Sequence, residues 1–381
     1  MNIAFYAPMK PPDHPSPSGD RRVARLLIAA LEGAAHHVEL ASRFRSYDGE
    51  GRETRQRALR ASAIGVARRL ISKLEARSQA DRPRLWLTYH LYHKAPDWIG
   101  PLVADALRLP YVVAEASFAR KQARGPYAFN HEAVAKTLAR ADAVLSVTPE
   151  DEEGVTPLIA DKRRLHRLPP FLDPAPYAAA RSARAAHREA LATSLNLDPV
   201  LPWLLAVGMM RPGDKLASYR LLIRALALLN DRRYALIVVG DGEARGLIES
   251  EISTVATADI RFVGLQPTEA LPAFYAAADL FVWPAVNEAY GMALLEAQAS
   301  GLPVVAGRER GVPEVVAHQV GGLLVEPRNP AAFAEAVRTL LDDAPRRAAF
   351  GQAAMARVAK RHSLCAASAS LDKIVRELAA P

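Results

Sequence analysis

Two glutamates, Glu288 and Glu296, stand eight positions apart in the stretch FVWPAVNEAYGMALLEAQASGLPVVA, Phe281 to Ala306. An apolar run, a loop from Pro284 to Tyr290, a helical pattern opening near Gly291 and a stop at Gly301 with Pro303 behind it predict strand, loop, helix and strand. Glycine at a helix start lets backbone approach a ligand closely. The amides of Tyr290, Gly291 and Met292 would then face an anion together with the positive end of the helix dipole. Two carboxylates flanking a phosphate-binding turn match the needs of a nucleotide sugar, which has a diphosphate in the middle and hydroxyls on either side.

The rest of the chain must position that turn. Its 381 residues are enough for two or three cores, and 50% hydrophobic with 24% charged residues excludes a mostly disordered chain. Short apolar runs alternate with helical patterns throughout, the signature of βα units and parallel sheets. In the first half the strands are expected at Asn2 to Ala7, Val38 to Ala41, Leu85 to Thr88, Tyr111 to Ala114 and Ala143 to Val147. In the second half they are expected at Leu204 to Val207, Ala235 to Val239, Ile260 to Val263, Leu280 to Trp283, Val304 to Ala306 and Leu323 to Val325. A Pro- and Ala-rich stretch ahead of Leu204 places the linker near residues 190–200, which divides the chain into Rossmann-like α/β domains at 1–195 and 196–363. Residues 364–381 read as an amphipathic helix packing back at the junction. Two doubly wound domains of this kind are expected to face a cleft at the carboxyl ends of their strands.

One cysteine, Cys365, excludes an internal disulfide framework and a cysteine-based zinc site. No run of 18 apolar residues occurs and the start MNIAFYAPMK lacks a signal-peptide pattern, so a cytoplasmic protein is expected. The net charge of +8 lies wholly in residues 1–199, and much of it in residues 43–84. Between 52 and 79, Leu59, Ala63, Val66, Leu70 and Leu74 form an apolar stripe, while Arg55, Arg57, Arg60, Arg68, Arg69, Lys73 and Arg77 crowd the other faces. The plain reading is a helix packed on the first sheet with a solvated basic face. The sharper one is docking on anionic lipid at the inner face of a membrane. Nucleic acid is not expected, because interleaved aromatics are lacking.

Glutamate, seven residues, glutamate in this strand, loop and helix setting resembles the retaining glycosyltransferases of the GT-B fold, especially glycosyltransferase family 4 (glycosyltransferase group 1). IVVGDGEARGLI, RFVGLQPTEALPAFYAAADLFVWPA and GVPEVVAHQVGGLLVEP carry the likeness further across residues 204–345. The resemblance implies Glu296 on the ribose hydroxyls, Glu288 near the donor sugar, the amides from Ala289 to Met292 on the phosphates, and backbone near Leu265 against the base. Lys215 and Arg211, in VGMMRPGDKLASY, would bring positive charge to the leaving diphosphate, with Met209 standing where many relatives have Arg. Gly19, in PSPSGDRR, corresponds to a glycine-rich loop at the donor phosphates. Relatives often place a histidine after the fourth strand where this chain has Glu115, Ala116 and Ser117; Glu115, His90 and His93 are therefore candidates for acceptor or cleft contacts.

The implied activity is transfer of a sugar from a UDP- or GDP-type donor to a hydroxyl of a saccharide or lipid-linked acceptor, in bacterial surface glycan or glycolipid synthesis. No metal and no cofactor beyond the donor is expected, since no Asp-x-Asp triplet stands where a metal-dependent transferase would use one. Plainer readings stand beside these: a solvated helix carboxylate for Glu296, a helix-start acid for Glu288, and ordinary surface cations for Lys215 and Arg211. A non-catalytic sugar-nucleotide binder and a nucleotide-sugar epimerase remain as alternatives. A phosphorylase would need a pyridoxal phosphate lysine, and only Lys215, Lys360 and Lys373 follow residue 200.

Overall fold

The computed structural model describes residues 1–379 apart from Pro17, Thr254, Ala256 and Thr257, so part of the PSPSGDRR segment and the last two residues lie outside the description. The chain divides into two compact units, Met1–Pro169 with Leu364–Pro381, and Pro170–Ser363.

In the first unit, six strands, β1 (Asn2–Tyr6), β2 (His37–Ser42), β3 (Leu85–Leu91), β4 (Tyr111–Ala116), β5 (Ala143–Ser146) and β6 (Leu165–Arg167), form one parallel sheet in the order β2-β1-β3-β4-β5-β6. Its central strands are buried apolar runs such as Tyr111–Ala114, as expected where helices cover both faces. Between the strands run the helices α1 (Gly19–Gly33), α2 (Glu53–Glu75), α3 (Gly100–Leu107), α4 (Ala128–Arg140) and α5 (Pro149–Val155). The C-terminal helix, Leu364–Ala379, packs against α1, where Asp372 meets the His36 ring at 2.9 Å.

The second unit repeats the scheme with β7 (Trp203–Val207), β8 (Tyr234–Val239), β9 (Ala258–Gly264), β10 (Leu280–Trp283), β11 (Val304–Gly307) and β12 (Gly322–Val325), in the order β12-β11-β10-β7-β8-β9. All six residues of β8 are buried. The division at Pro169 falls earlier than the residue 195 expected from composition. Helices α6 (Ala175–Ser182) and α7 (Arg184–Leu195) pack on the second unit, where Arg184 and Arg188 both bind Asp279, at 2.6 and 3.0 Å. An Ala-rich stretch that looks like linker in isolation is thus fastened by two arginines. Helices α8 (Asp214–Leu226), α9 (Arg245–Ile252), α10 (Leu271–Ala277) and α11 (Met292–Ala299) complete the elements around the site.

On α2 the structure buries Gln56, Ala63, Ala67 and Leu74, and leaves Leu59, Val66 and Leu70 half-buried, so the packed face is rotated from the expected stripe. Arg55, Arg57, Arg60, Arg68, Arg69 and Lys73 are exposed, whereas Arg77 is partly buried in a two-bond pair with Glu39 at 2.6 and 2.8 Å. Among the described residues no helix is long and apolar enough to cross a membrane.

Candidate functional site

The second unit builds its site along the carboxyl edge of its sheet, where the loops after β7, β8 and β9 are hydrogen-bonded to one another. Gly208 N donates to Val239 O at 3.0 Å, Met210 N to Asp241 O at 2.9 Å, and Gly240 N to Gly264 O at 2.9 Å. Gly240 has to be glycine: its φ is +138°, and a Cβ would lie 1.9 Å from the Gly208 carbonyl oxygen. The GlyAspGly at 240–242 is therefore a tight turn on the β7 loop, which leads into α8 and carries Lys215 in its first turn.

The loop after β10 is pinned to α8. Val286 N donates to Ser218 Oγ at 3.0 Å, Asn287 Nδ2 to Asp214 Oδ2 at 2.9 Å, and Lys215 Nζ to Glu288 Oε2 at 2.5 Å. Ala285 and Asn287 occupy the left-handed region at φ +59° and +53°, a conformation that those tethers hold in place. Trp283 lies under the ion pair, with Lys215 Nζ 5.4 Å from its ring and its Nε1 donating to Glu288 Oε2 at 3.4 Å. Tyr219 meets the Trp283 ring edge-on at 5.0 Å and donates its hydroxyl to Gly208 O at 2.8 Å. Glu288 and Lys215 are 19% and 33% exposed, so the pair is neither sealed nor fully solvated.

Gly291 caps α11 at φ +78°. The first amide to close a turn is Leu294, onto Gly291 O at 3.0 Å, and the amides of Gly291, Met292 and Ala293 precede it where a helix leaves donors without intrahelical acceptors. Glu296 lies within α11, only 2% exposed, and accepts from the Tyr275 hydroxyl at 2.7 Å. It is not a solvated helix carboxylate. The structure joins Lys215 to Glu288 and sets Glu288 beside Gly291, whose Cβ position lies 3.3 Å from Glu288 Cγ. Ala289, Tyr290 and Met292 belong to the same turn. Arg211 is exposed and contacts the Met209 sulfur, and Leu265 is 75% exposed just beyond Gly264.

In the first unit, Asp20 in the first turn of α1 receives His90 Nδ1 at 2.9 Å from the end of β3. Gly19 precedes Asp20 in that turn, and an added Cβ there would meet nothing within 4 Å, so packing within the fold does not require the glycine. His90 and Glu115 end adjacent strands in the left-handed region, at φ +60° and +58°. Burial works against charge on His90, but the Asp20 hydrogen bond and the carboxylates of Glu115, Asp20 and Asp151 outweigh it and raise its pKa. Burial pushes the Glu115 carboxyl up, against the opposing pull of His90. His93 stands apart, edge-on to Tyr127 at 4.9 Å, and is lowered to about 4 by burial and by Lys94, His131 and Lys121.

Sequence reasoning missed Trp283, Tyr219, Tyr275 and Asp20. Asp20 adjoins Gly19 and could have been found from an acid opening a helix at a βα loop. Tyr219 and Tyr275 carry no spacing signal, because their partners come from distant elements, and Trp283 reads as an ordinary strand residue.

Residues 207–357 match the family described as Glycosyl transferases group 1. The D-inositol 3-phosphate glycosyltransferase of Salinispora tropica is 35% identical over 257 residues, 64% of this chain and 51% of that protein. That of Nocardia farcinica is 30% identical over 288 residues, 71% and 62% respectively. The chain thus spans about half to three fifths of the length of these curated relatives. Sucrose-phosphate synthase from Thermosynechococcus elongatus superposes with a TM-score of 0.72 at 20% identity, covering 99% of this chain and 98% of that one. Anabaena Alr3699/HepE in complex with UDP-glucose gives 0.70 at 18% identity, with 99% and 100% covered. The chain has the GT-B fold, and its residues 207–357 belong to the glycosyl transferases group 1 family.

Proposed function

We propose that this protein is a retaining glycosyltransferase that moves a sugar from a nucleoside diphosphate donor to a hydroxyl of a saccharide or lipid-linked acceptor. The observation that carries the reading is the Lys215–Glu288 pair, held with two further tethers between α8 and the β10 loop beside the glycine-capped start of α11. HepE in complex with UDP and with UDP-glucose supports a donor of this class.

In this proposal the amides from Ala289 to Met292 take the diphosphate, and Lys215, with Arg211 at the exposed rim, stabilises the charge that develops as the sugar leaves. No metal or cofactor takes part in the proposed reaction, because those groups provide the positive charge. Glu288, oriented by Lys215 and Trp283, positions the sugar. Glu296 holds the ribose hydroxyls, with the Tyr275 bond fixing its carboxylate. Backbone beside Leu265 meets the base, and Gly19 lets backbone approach the phosphates. The departing phosphate assists deprotonation of the acceptor on the same face, which gives retention. His90, His93 and Glu115 supply acceptor contacts, and the exposed basic residues of α2 bring the protein to anionic lipid on the cytoplasmic side of a membrane, where surface glycans are assembled.

The test is turnover of UDP- and GDP-sugars by the native chain, with product anomers followed by NMR. Release of nucleoside diphosphate with a retained anomer supports the reading. Inversion overturns retention. Donor binding without turnover under any acceptor mixture favours a non-catalytic binder, and a change of sugar configuration on an intact donor favours an epimerase.

A further inference from the structure

The carboxyl ends of β3 and β4 gather Asp20, Glu115 and Asp151 around His90, each acid acting electrostatically on the imidazole. Two of the three acids are accounted for by the fold. Asp20 stands in the first turn of α1 and holds His90 at 2.9 Å. Asp151 opens α5, where Thr148 and Asp151 cap one another through bonds of 2.6 and 3.2 Å. Both sit where a helix dipole favours negative charge.

Glu115 has no such explanation. Its backbone is held at φ +58°, and among the described residues its Oε2 is buried with no hydrogen-bond partner, while Tyr89 bonds to the carboxyl group. A buried carboxylate oxygen without a donor is unfavourable unless something outside the chain completes it. Burial raises the Glu115 carboxyl, Asp151 and Asp20 add to that, and the His90 imidazole opposes it; Lys10 acts on Asp20. Two carboxylates and one imidazole are thus the charged groups that act on Glu115. Such a site accepts hydrogen-bond donors and repels anions. The side chains of His90 and Asp20 are 19% and 25% exposed and Glu115 is half-buried, so the cluster borders solvent.

We propose that this site, which under the glycosyltransferase reading receives the acceptor, binds its non-anionic end through Glu115, preferring an amine-bearing sugar to a neutral one and a neutral one to a phosphorylated one. The chain would thereby differ from relatives named for an inositol phosphate acceptor.

The test uses the full chain with labelled histidines. The His90 imidazole signal, assigned by its loss in His90→Gln, is followed while glucosamine, glucose or glucose 6-phosphate is added. The expected order of midpoints is glucosamine lowest and glucose 6-phosphate highest, separated by about tenfold or more. Glu115→Gln should collapse that order, and Glu115→Asp, which keeps the charge, should retain it. Glucose 6-phosphate acting at the lowest concentration, no response to any of the three, or an unchanged order in Glu115→Gln overturns the proposal. Thermal stabilisation by UDP and by GDP, measured on the same native sample, separates the two readings. The order without an effect of either nucleotide sinks the transferase and leaves this site standing, whereas a nucleotide effect without the order does the reverse.

Discussion

The two sheets each reverse direction at one place, and a charged pair stands at both. In the first unit the chain lays β2 on one side of β1 and β3 on the other, and Asp20 after β1 meets His90 at the end of β3. In the second it lays β8 on one side of β7 and β10 on the other, and Lys215 after β7 meets Glu288 after β10. The polarity is reversed: the first loop supplies the acid in one unit and the cation in the other. Topology therefore provides the crevice at a switch point, while side-chain choice decides what enters it. The second unit backs its pair with the starts of α8 and α11, a setting for phosphates. The first unit surrounds its pair with further carboxylates.

The sharpest break is to remove the cation at the second switch point. Lys215→Ala should lower donor turnover by about a thousandfold, because stabilisation of the leaving diphosphate is lost, with nucleoside diphosphate release as the readout. Asp20→Ala in the first unit should not reach that loss if the two pairs do different work.

Rigidity of the second carboxyl edge is tested by Gly240→Ala. Overlap with the Gly208 carbonyl at a φ of +138° should destabilise the chain by about 3 kcal/mol or more in urea unfolding. Gly19→Ala, with nothing within 4 Å, should leave stability within about 0.5 kcal/mol. Equal losses at the two glycines would remove the distinction between a structural and a ligand-facing glycine.

Glu296→Ala removes the acceptor of the Tyr275 hydroxyl bond in a buried setting and should lower stability by about 1–3 kcal/mol as well as weaken donor binding. Tyr275→Phe should reproduce part of the donor defect by loosening the carboxylate.

The smallest effect is a pH dependence at the first switch point. His90 is raised from 6.5, so its stabilisation is complete below that value and is lost as pH rises through the folded value. Asp20 is lowered from 3.8, so its share is present above that value and lost as pH falls through the folded value. Native chain and Asp20→Asn should thus differ by about 1 kcal/mol between those limits and converge at alkaline pH, as read from urea unfolding at a series of pH values.

Much of this architecture was legible because parallel strands buried on both faces read as apolar runs, and eleven strands fall within a few residues of their expected places. The exception is β6: Leu165–Arg167 holds one apolar residue and pairs only with β5 at the sheet edge. Glu288 and Glu296 were legible from their spacing about Gly291, and Lys215 from the family resemblance. What fastens them was not, since Trp283, Tyr219, Ser218 and Tyr275 act across elements that only the fold brings together. The burial of Glu296 was hidden for the same reason: α11 is buried over most of its length, so no polar face marks it.

Thermal shift with UDP, GDP and their sugar conjugates, native chain against Glu296→Ala, tests most directly whether the second unit is a nucleotide-sugar site. One base raising the melting temperature of the native chain and failing to do so in the variant is the predicted result. A folded native chain that no nucleotide stabilises, or a variant stabilised as strongly as the native chain, would contradict it.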